Sequence, residues 1–177
     1  MPDYRRNRIP GGCYFFTANL LERHQNKLLV EEIHLLRRVV KQTKVRYPFH
    51  IDGWVVLPEH MHFILTLPTG DDDFVKRIRL IKTLFARRIP KTEYRSKIRR
   101  RRGERGIWQR RYWEHTIRDE LDYARHMDYL HYNPVKHGYV EQVKDWPYSS
   151  FHSLVKAQVY SVDWAGCVND LDVGESD

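Results

Sequence analysis

Two apolar stretches separated by only two residues set the first constraint on this chain. Ile51–Leu57 and His60–Leu67 both read as β-strands, the first stopped by Pro58 and the second by Pro68. The connection Pro58-Glu59 leaves no room for a crossover, so the two strands pair antiparallel. Cys13–Asn19, aromatic and β-branched after Gly11-Gly12, reads as a further strand. Ile33, Leu36, Val39 and Val40 recur at helical spacing and predict a helix over Glu31–Arg46, with Pro48 just past its end. Phe74, Ile78, Ile81 and Phe85 predict a second helix, which starts from the Asp71-Asp72-Asp73 cap and runs to about Arg88. Tyr112–Arg118 reads as another strand, and Asp119–Asn133 as a helix stopped by Pro134. Strands and helices mixed in this order predict an α+β fold. The expected form is a ferredoxin-like (RRM-like) antiparallel sheet with helices packed on it.

The chain has 177 residues, of which 41% are hydrophobic and 31% charged. That length holds one domain, 1–177. The composition is too apolar for a disordered chain, and the apolar runs are too short to span a membrane. The opening MPDYRRNRIPGG has no apolar stretch of the secretory kind. Two cysteines, Cys13 and Cys167, exclude a disulfide scaffold. The expectation is a cytoplasmic protein with reduced thiols. No internal repeat is visible.

Lys and Arg number 31 against 23 Asp and Glu, a net +8. That excess points to an anionic partner. It is concentrated. Arg87–Arg111 holds twelve Lys and Arg against two Glu, whereas Glu141–Asp177 holds seven acids against two Lys. The chain thus has an Arg-rich insertion at about 91–106 and an acidic tail at about 163–177. Pro90, Gly103 and Gly106 mark the basic stretch as a loop. Trp108, Tyr112 and Trp113 follow it, and flat rings beside guanidinium groups suit an unstacked single strand. Three groups are candidates for binding nucleic acid. The first is the arm Tyr4, Arg5, Arg6 and Arg8. The second is the helix face Lys76, Arg79 and Lys82. The third is the loop run Arg99, Arg100, Arg101 and Arg102, with Arg110 and Arg111 beyond it. For each, a solvated surface is the plain alternative.

In His60-Met61-His62-Phe63-Ile64-Leu65 alternate residues share a strand face. Met61, Phe63, Leu65 and Leu67 form the core face. His60 and His62 stand side by side on the other, with Cα atoms about 6.5–7 Å apart. That spacing lets both imidazoles reach one divalent cation, a transition metal such as Mn or Zn more readily than Mg. A chain with 10 His can also place such a pair by chance. On the helix Asp119–Asn133, a wheel puts Tyr123, Ala124, Met127 and Leu130 on the core stripe. It puts Asp122, Arg125, His126, Tyr129, Tyr132 and Asn133 opposite. Tyr129 and Asn133, at i and i+4, are neighbours. A nucleophilic tyrosine and a third metal ligand fit that pair. Tyr132 competes for the first role, and neither His126 nor His131 is assignable as its base.

Together these residues resemble a known pattern. Leu57-Pro58-Glu59-His60-Met61-His62 resembles the HUH signature of single-tyrosine DNA transposases. Tyr129 through Asn133-Pro134-Val135-Lys136-His137-Gly138 is similar to the C-terminal motif of their REP-associated branch, the relatives linked to repetitive extragenic palindromic DNA. Tyr4-Arg5-Arg6, Gly11-Gly12, Trp113-Glu114-His115 and Asp145-Trp146-Pro147-Tyr148-Ser149-Ser150 extend the likeness from about Tyr4 to Gly166. The resemblance implies that Tyr129 is the nucleophile, facing a metal site made of His60, His62 and Asn133. In many relatives a Gln stands where Asn133 stands here. It also implies Mg or Mn as cofactor, and cleavage and rejoining of single-stranded DNA beside a folded hairpin through a 5′-phosphotyrosine link. The expected setting is the bacterial cytoplasm and nucleoid, as monomer or homodimer. The alternative is a protein that binds hairpin or single-stranded nucleic acid without cutting it. The Arg-rich insertion has no counterpart in the family pattern.

Overall fold

Residues 6–166 are described in the computed structural model of this chain. Four strands, β1 (Cys13–Asn19), β2 (His50–Val56), β3 (His60–Thr66) and β4 (Trp113–Thr116), make one antiparallel sheet in the order β2-β3-β1-β4. The hairpin β2–β3 turns at Leu57–Glu59, with the Leu57 amide donating to the His60 carbonyl at 2.8 Å. Helices α2 (Ile33–Arg46) and α3 (Phe74–Arg88) pack on each other over one face, which gives the expected ferredoxin-like arrangement. A short turn, α1 (Leu28–Glu31), precedes α2, so the first helix begins two residues later than its periodicity predicts. Asp73 caps α3 by accepting from the Lys76 amide at 3.0 Å. Neighbouring Asp71 serves a different purpose, pairing at 2.6 Å with the buried guanidinium of Arg77.

Strand alternation divides the core in two. Tyr14, Phe16 and Ala18 of β1 join Met61, Phe63 and Leu65 of β3 under α2 and α3. Phe15, Val55 and Ile64 face the other way. That second face, which carries His60 and His62, is not left to water. Helix α5 (Glu120–Lys136) lies across it and contributes Met127, Tyr129 and Leu130. A Cβ at Gly53 would come within 2.5 Å of the Met127 sulfur, so α5 approaches β2 closely where a side chain is missing. The outer edge of β2 is covered by the returning chain. The Val56 amide donates to the Tyr148 carbonyl at 2.9 Å, and the Ser150 amide to the Trp54 carbonyl at 2.8 Å.

Four expectations are corrected. Helix α5 does not stop at Pro134 but runs through it to Lys136. Proline removes one donor only, and this one falls in the last turn. The carbonyls of Asn133, Pro134 and Val135 are then taken by the amides of His137, Tyr139 and Gly138, the last at φ 70°. Ala124 is exposed, not in the core, because α5 turns its His126–Tyr129–Asn133 side to the sheet along with Met127 and Leu130. The Arg-rich stretch is not all loop: α4 (Lys97–Arg101) is a helical turn capped by Ser96. Strand β4 is shorter than predicted, and Cys167 and most of the acidic tail lie outside the described residues. No helix among the described residues is long and apolar enough to cross a membrane.

Candidate active site and basic groove

The layer between sheet and α5 gathers an unusual set of polar groups. His60 is 1% exposed, His62 0%, Tyr129 2% and Asn133 0%. The His60 and His62 ring centroids are 4.9 Å apart, and the Tyr129 ring meets His62 edge-on at 5.6 Å. Thr17 Oγ1, directly across from His62 in the β1–β3 register, sits 2.9 Å from its Nδ1. Nδ1 of His60 lies 2.8 Å from Glu59 Oε1. Burial pushes the Glu59 carboxyl up, but the hydrogen bond and charge of His60, with Tyr139 beyond, bring it down to about 2. An ionised carboxylate only accepts, so Nδ1 of His60 donates to it, and Nε2 is the nitrogen left to face a metal. That Nε2, and both amide atoms of Asn133, are buried with no hydrogen-bond partner among the described residues. Buried polar atoms left this way are costly. A cation contacting an imidazole nitrogen and the amide oxygen would satisfy two of them, so this donor set fits a divalent ion.

The sequence placed Tyr129 and Tyr132 on nearly one helix face; the structure separates them. Tyr132 is only half-buried and its ring lies against Gly166, on the side where the C-terminal segment packs. Four residues that the sequence reading passed over border the site. Glu59 accepts from Tyr139 at 3.1 Å as well as from His60. The His137 ring is 5.1 Å from that of His60. Lys136 donates from Nζ to the Tyr129 hydroxyl at 3.0 Å. Glu59 had a signal, since a carboxylate beside a candidate ligand commonly orients it. Lys136 and His137 stood in the motif that carries the resemblance but without a role, and Tyr139 had no signal, because all three follow a proline that was expected to end the helix.

A second cluster, His115, Asp122 and His126, brings three donor atoms within 4.8 Å of one another. Its imidazoles stack at 4.4 Å and 12°, so their in-plane lone pairs lie in near-parallel planes and do not converge on one ion. Its groups already satisfy one another. His115 Nε2 lies 2.8 Å from Asp122 Oδ2, and the Arg118 amide donates to the same oxygen at 2.9 Å. The cluster clasps β4 to the start of α5 and so helps to seat the helix that carries Tyr129.

A family model of IS200-like transposases matches residues 18–133. The chain belongs to that family. A REP-associated tyrosine transposase of Escherichia coli (strain K12) is 48% identical over 175 residues, spanning 99% of this chain and 98% of its own. A protein of Haemophilus influenzae, given the same name provisionally, is 51% identical over 168 residues, 94% of each chain. The solved structure of a REP-associated tyrosine transposase bound to a REP hairpin matches with a TM-score of 0.86 at 47% identity, covering 100% of this chain and 99% of that one. Relatives this similar over their whole length place the chain among the transposases that work through a tyrosine.

This transposase also carries a basic groove of about 1010 Å³ between α3, the insertion and the approach to β4. Of the residues predicted to bind nucleic acid, Arg6, Arg79, Lys82, Arg99, Arg102 and Arg110 line it. Three patches far apart in sequence thus become one wall. Arg8, Lys76, Arg100, Arg101 and Arg111 are not in the lining. Lys76 pairs with Asp73 at 3.3 Å, and Arg8 lies 3.9 Å from Asp72. Tyr4 and Arg5 lie outside the described residues. Arg105, also in the lining, holds the insertion in place through Glu93 and the carbonyls of Ala86, Ile89 and Pro90 at the end of α3. Lys82 donates to the Gln109 carbonyl at 2.8 Å, and burial, with the charge of Arg6, lowers its pKa to about 8. One backbone contact links the groove wall to the strand beside His60. Gln109 of its wall donates to the carbonyl of Asn19, the register partner of His60.

Proposed function

We propose that this chain cleaves and rejoins single-stranded DNA next to a REP-type hairpin, with Tyr129 as nucleophile and a divalent ion, Mg or Mn, held by His60, His62 and Asn133. The observation that carries the reading is the convergence of Tyr129, the two histidines and the Asn133 amide in one buried layer, although the helix and the hairpin that supply them are far apart in sequence. When bound, the ion would polarise the scissile phosphate and draw charge off its oxygens. Glu59 fixes the tautomer of His60 and Thr17 holds the ring of His62. Asn133, one turn past Tyr129, offers its amide oxygen beside the nucleophile.

In this reading the Tyr129 oxygen forms a bond to phosphorus and the bond from phosphorus to the 3′-oxygen breaks. The phenolic proton goes to water and the departing oxygen takes one up, leaving a 5′-phosphotyrosine and a free 3′-OH. The covalent link conserves the bond, so a 3′-OH can reverse the step and join strands. The groove residues Arg79, Lys82, Arg99, Arg102 and Arg110 would follow the phosphates of the bound DNA towards the His60 end of the sheet. A hairpin partner is supported by the relative solved on a REP hairpin. The single domain 1–177, with its insertion and acidic tail, would act as monomer or homodimer in the bacterial cytoplasm.

The test is a hairpin substrate with a single-stranded flank, incubated with Mg or Mn. The wild type should form a denaturant-stable protein–DNA adduct, Tyr129→Phe none, and Tyr132→Phe the wild-type amount. An adduct in Tyr129→Phe that is lost in Tyr132→Phe would move the nucleophile by one turn. Tight binding without any adduct in the wild type would make the chain a non-cutting hairpin binder.

A further inference from the structure

We infer that Lys136 is a catalytic residue whose ammonium stabilises the negative charge on the Tyr129 oxygen in the transition state of cleavage and rejoining. The inference rests on the reading of Tyr129 as nucleophile. Nζ of Lys136 stands 3.0 Å from the Tyr129 hydroxyl oxygen and 4.8 Å from the centre of its ring, so the cation lies past the ring's oxygen-bearing edge. The placement follows from the helix. Lys136 is seven residues after Tyr129, two turns on, within about 20° of the same face. Helical side chains lean towards the N-terminus, which carries a long lysine back over the turn below. Only because α5 continues through Pro134 does Lys136 keep that position. A helix ending at Asn133 would have sent it elsewhere.

The charge matters at one atom. In the transition state the bond between the Tyr129 oxygen and phosphorus is partly made, and that oxygen carries part of a phenolate charge. A donor already aimed at it needs no rearrangement during the step. The same holds in reverse, when the tyrosine is the leaving group and the 3′-OH attacks. Lys136 gives up no proton in this scheme. Its ammonium stays charged, the phenolic proton passes to water, and the bonds exchanged are those already described. The Lys136 side chain is exposed, so replacing it leaves the buried layer intact.

The experiment compares the wild type with Lys136→Met, Lys136→Arg and Tyr129→Phe on the flanked hairpin under single-turnover conditions with Mn. Adduct formation is followed first, then adduct loss after a 3′-OH strand is added. Hairpin affinity and thermal melting are measured on each variant. Lys136→Met should slow both directions by about 100-fold, the scale seen when one preorganised donor is removed. Affinity and melting temperature should stay at wild type, and Lys136→Arg should recover part of the rate. Rates in Lys136→Met within twofold of the wild type, with Tyr129→Phe inactive, would overturn the role of Lys136 alone. A rate loss fully matched by lost affinity would also overturn it, making Lys136 a phosphate contact. An adduct persisting in Tyr129→Phe would overturn the nucleophile assignment itself, and this role with it.

Discussion

The carboxylate of Glu59 lies 2.8 Å from Nδ1 of His60 and so decides which nitrogen of that histidine can meet a metal. Ligand histidines hold their orientation through such a partner, and its loss commonly costs about 10- to 100-fold in metal affinity. Here the partner is itself held, by Tyr139 at 3.1 Å and by Arg23 at 3.5 Å. Glu59→Gln keeps the shape and removes the charge. It should weaken Mn binding about tenfold by calorimetry while hairpin affinity without metal stays unchanged. Unaltered Mn affinity would mean that His60 does not depend on Glu59.

His131 gives the protein a pH dependence of its own. It is buried between Phe151 and Tyr160, with Nδ1 3.1 Å from Ser149 Oγ, and burial lowers its pKa from 6.5 to about 3. The unfolded chain takes up a proton below 6.5, and the folded one does so only near 3. This contribution is therefore complete above pH 6.5 and is lost as the pH falls towards 3. The slope is about 1.4 kcal/mol per pH unit. Glu59 enters this range only below 4.5. Urea unfolding should show a loss of about 2 kcal/mol between pH 6.5 and 5, and His131→Gln should flatten that loss. A slope that survives the substitution would belong to His126, whose pKa burial also lowers.

Local rules explain what the sequence revealed and what it hid. The hairpin at Pro58-Glu59, the Asp73 cap and the shared face of His60 and His62 follow from turn length, side-chain chemistry and strand period. Each is a property of a few adjacent residues. The placement of α5 is not. A wheel sorts its residues by polarity, yet the side laid on the sheet includes His126, Tyr129 and Asn133, because polar groups suit a layer that holds polar groups on its other wall. The basic groove escaped for a related reason. Its lining comes from the arm, α3, the insertion and the segment before β4, and only the fold brings these together. Nothing local to Arg105 or Arg77 marks a structural role in the sequence, but the structure uses one to hold the insertion and the other inside the core edge.

The groove makes a prediction that separates neighbours within one arginine run. Arg99 and Arg102 face the groove, while Arg100 and Arg101 do not. The helical turn α4 causes this, since residues three apart share a side and those between them point elsewhere. Each phosphate neutralised contributes about 0.7–0.9 to the slope of log affinity against log salt. Arg99→Ser with Arg102→Ser should therefore reduce the slope for the flanked hairpin by about 1.4–1.8. Arg100→Ser with Arg101→Ser removes the same net charge and should leave the slope nearly unchanged. Fluorescence anisotropy across a salt series measures both. Equal reductions in the two double variants would mean that the run attracts DNA by its overall charge and that the groove does not choose which arginines touch phosphate.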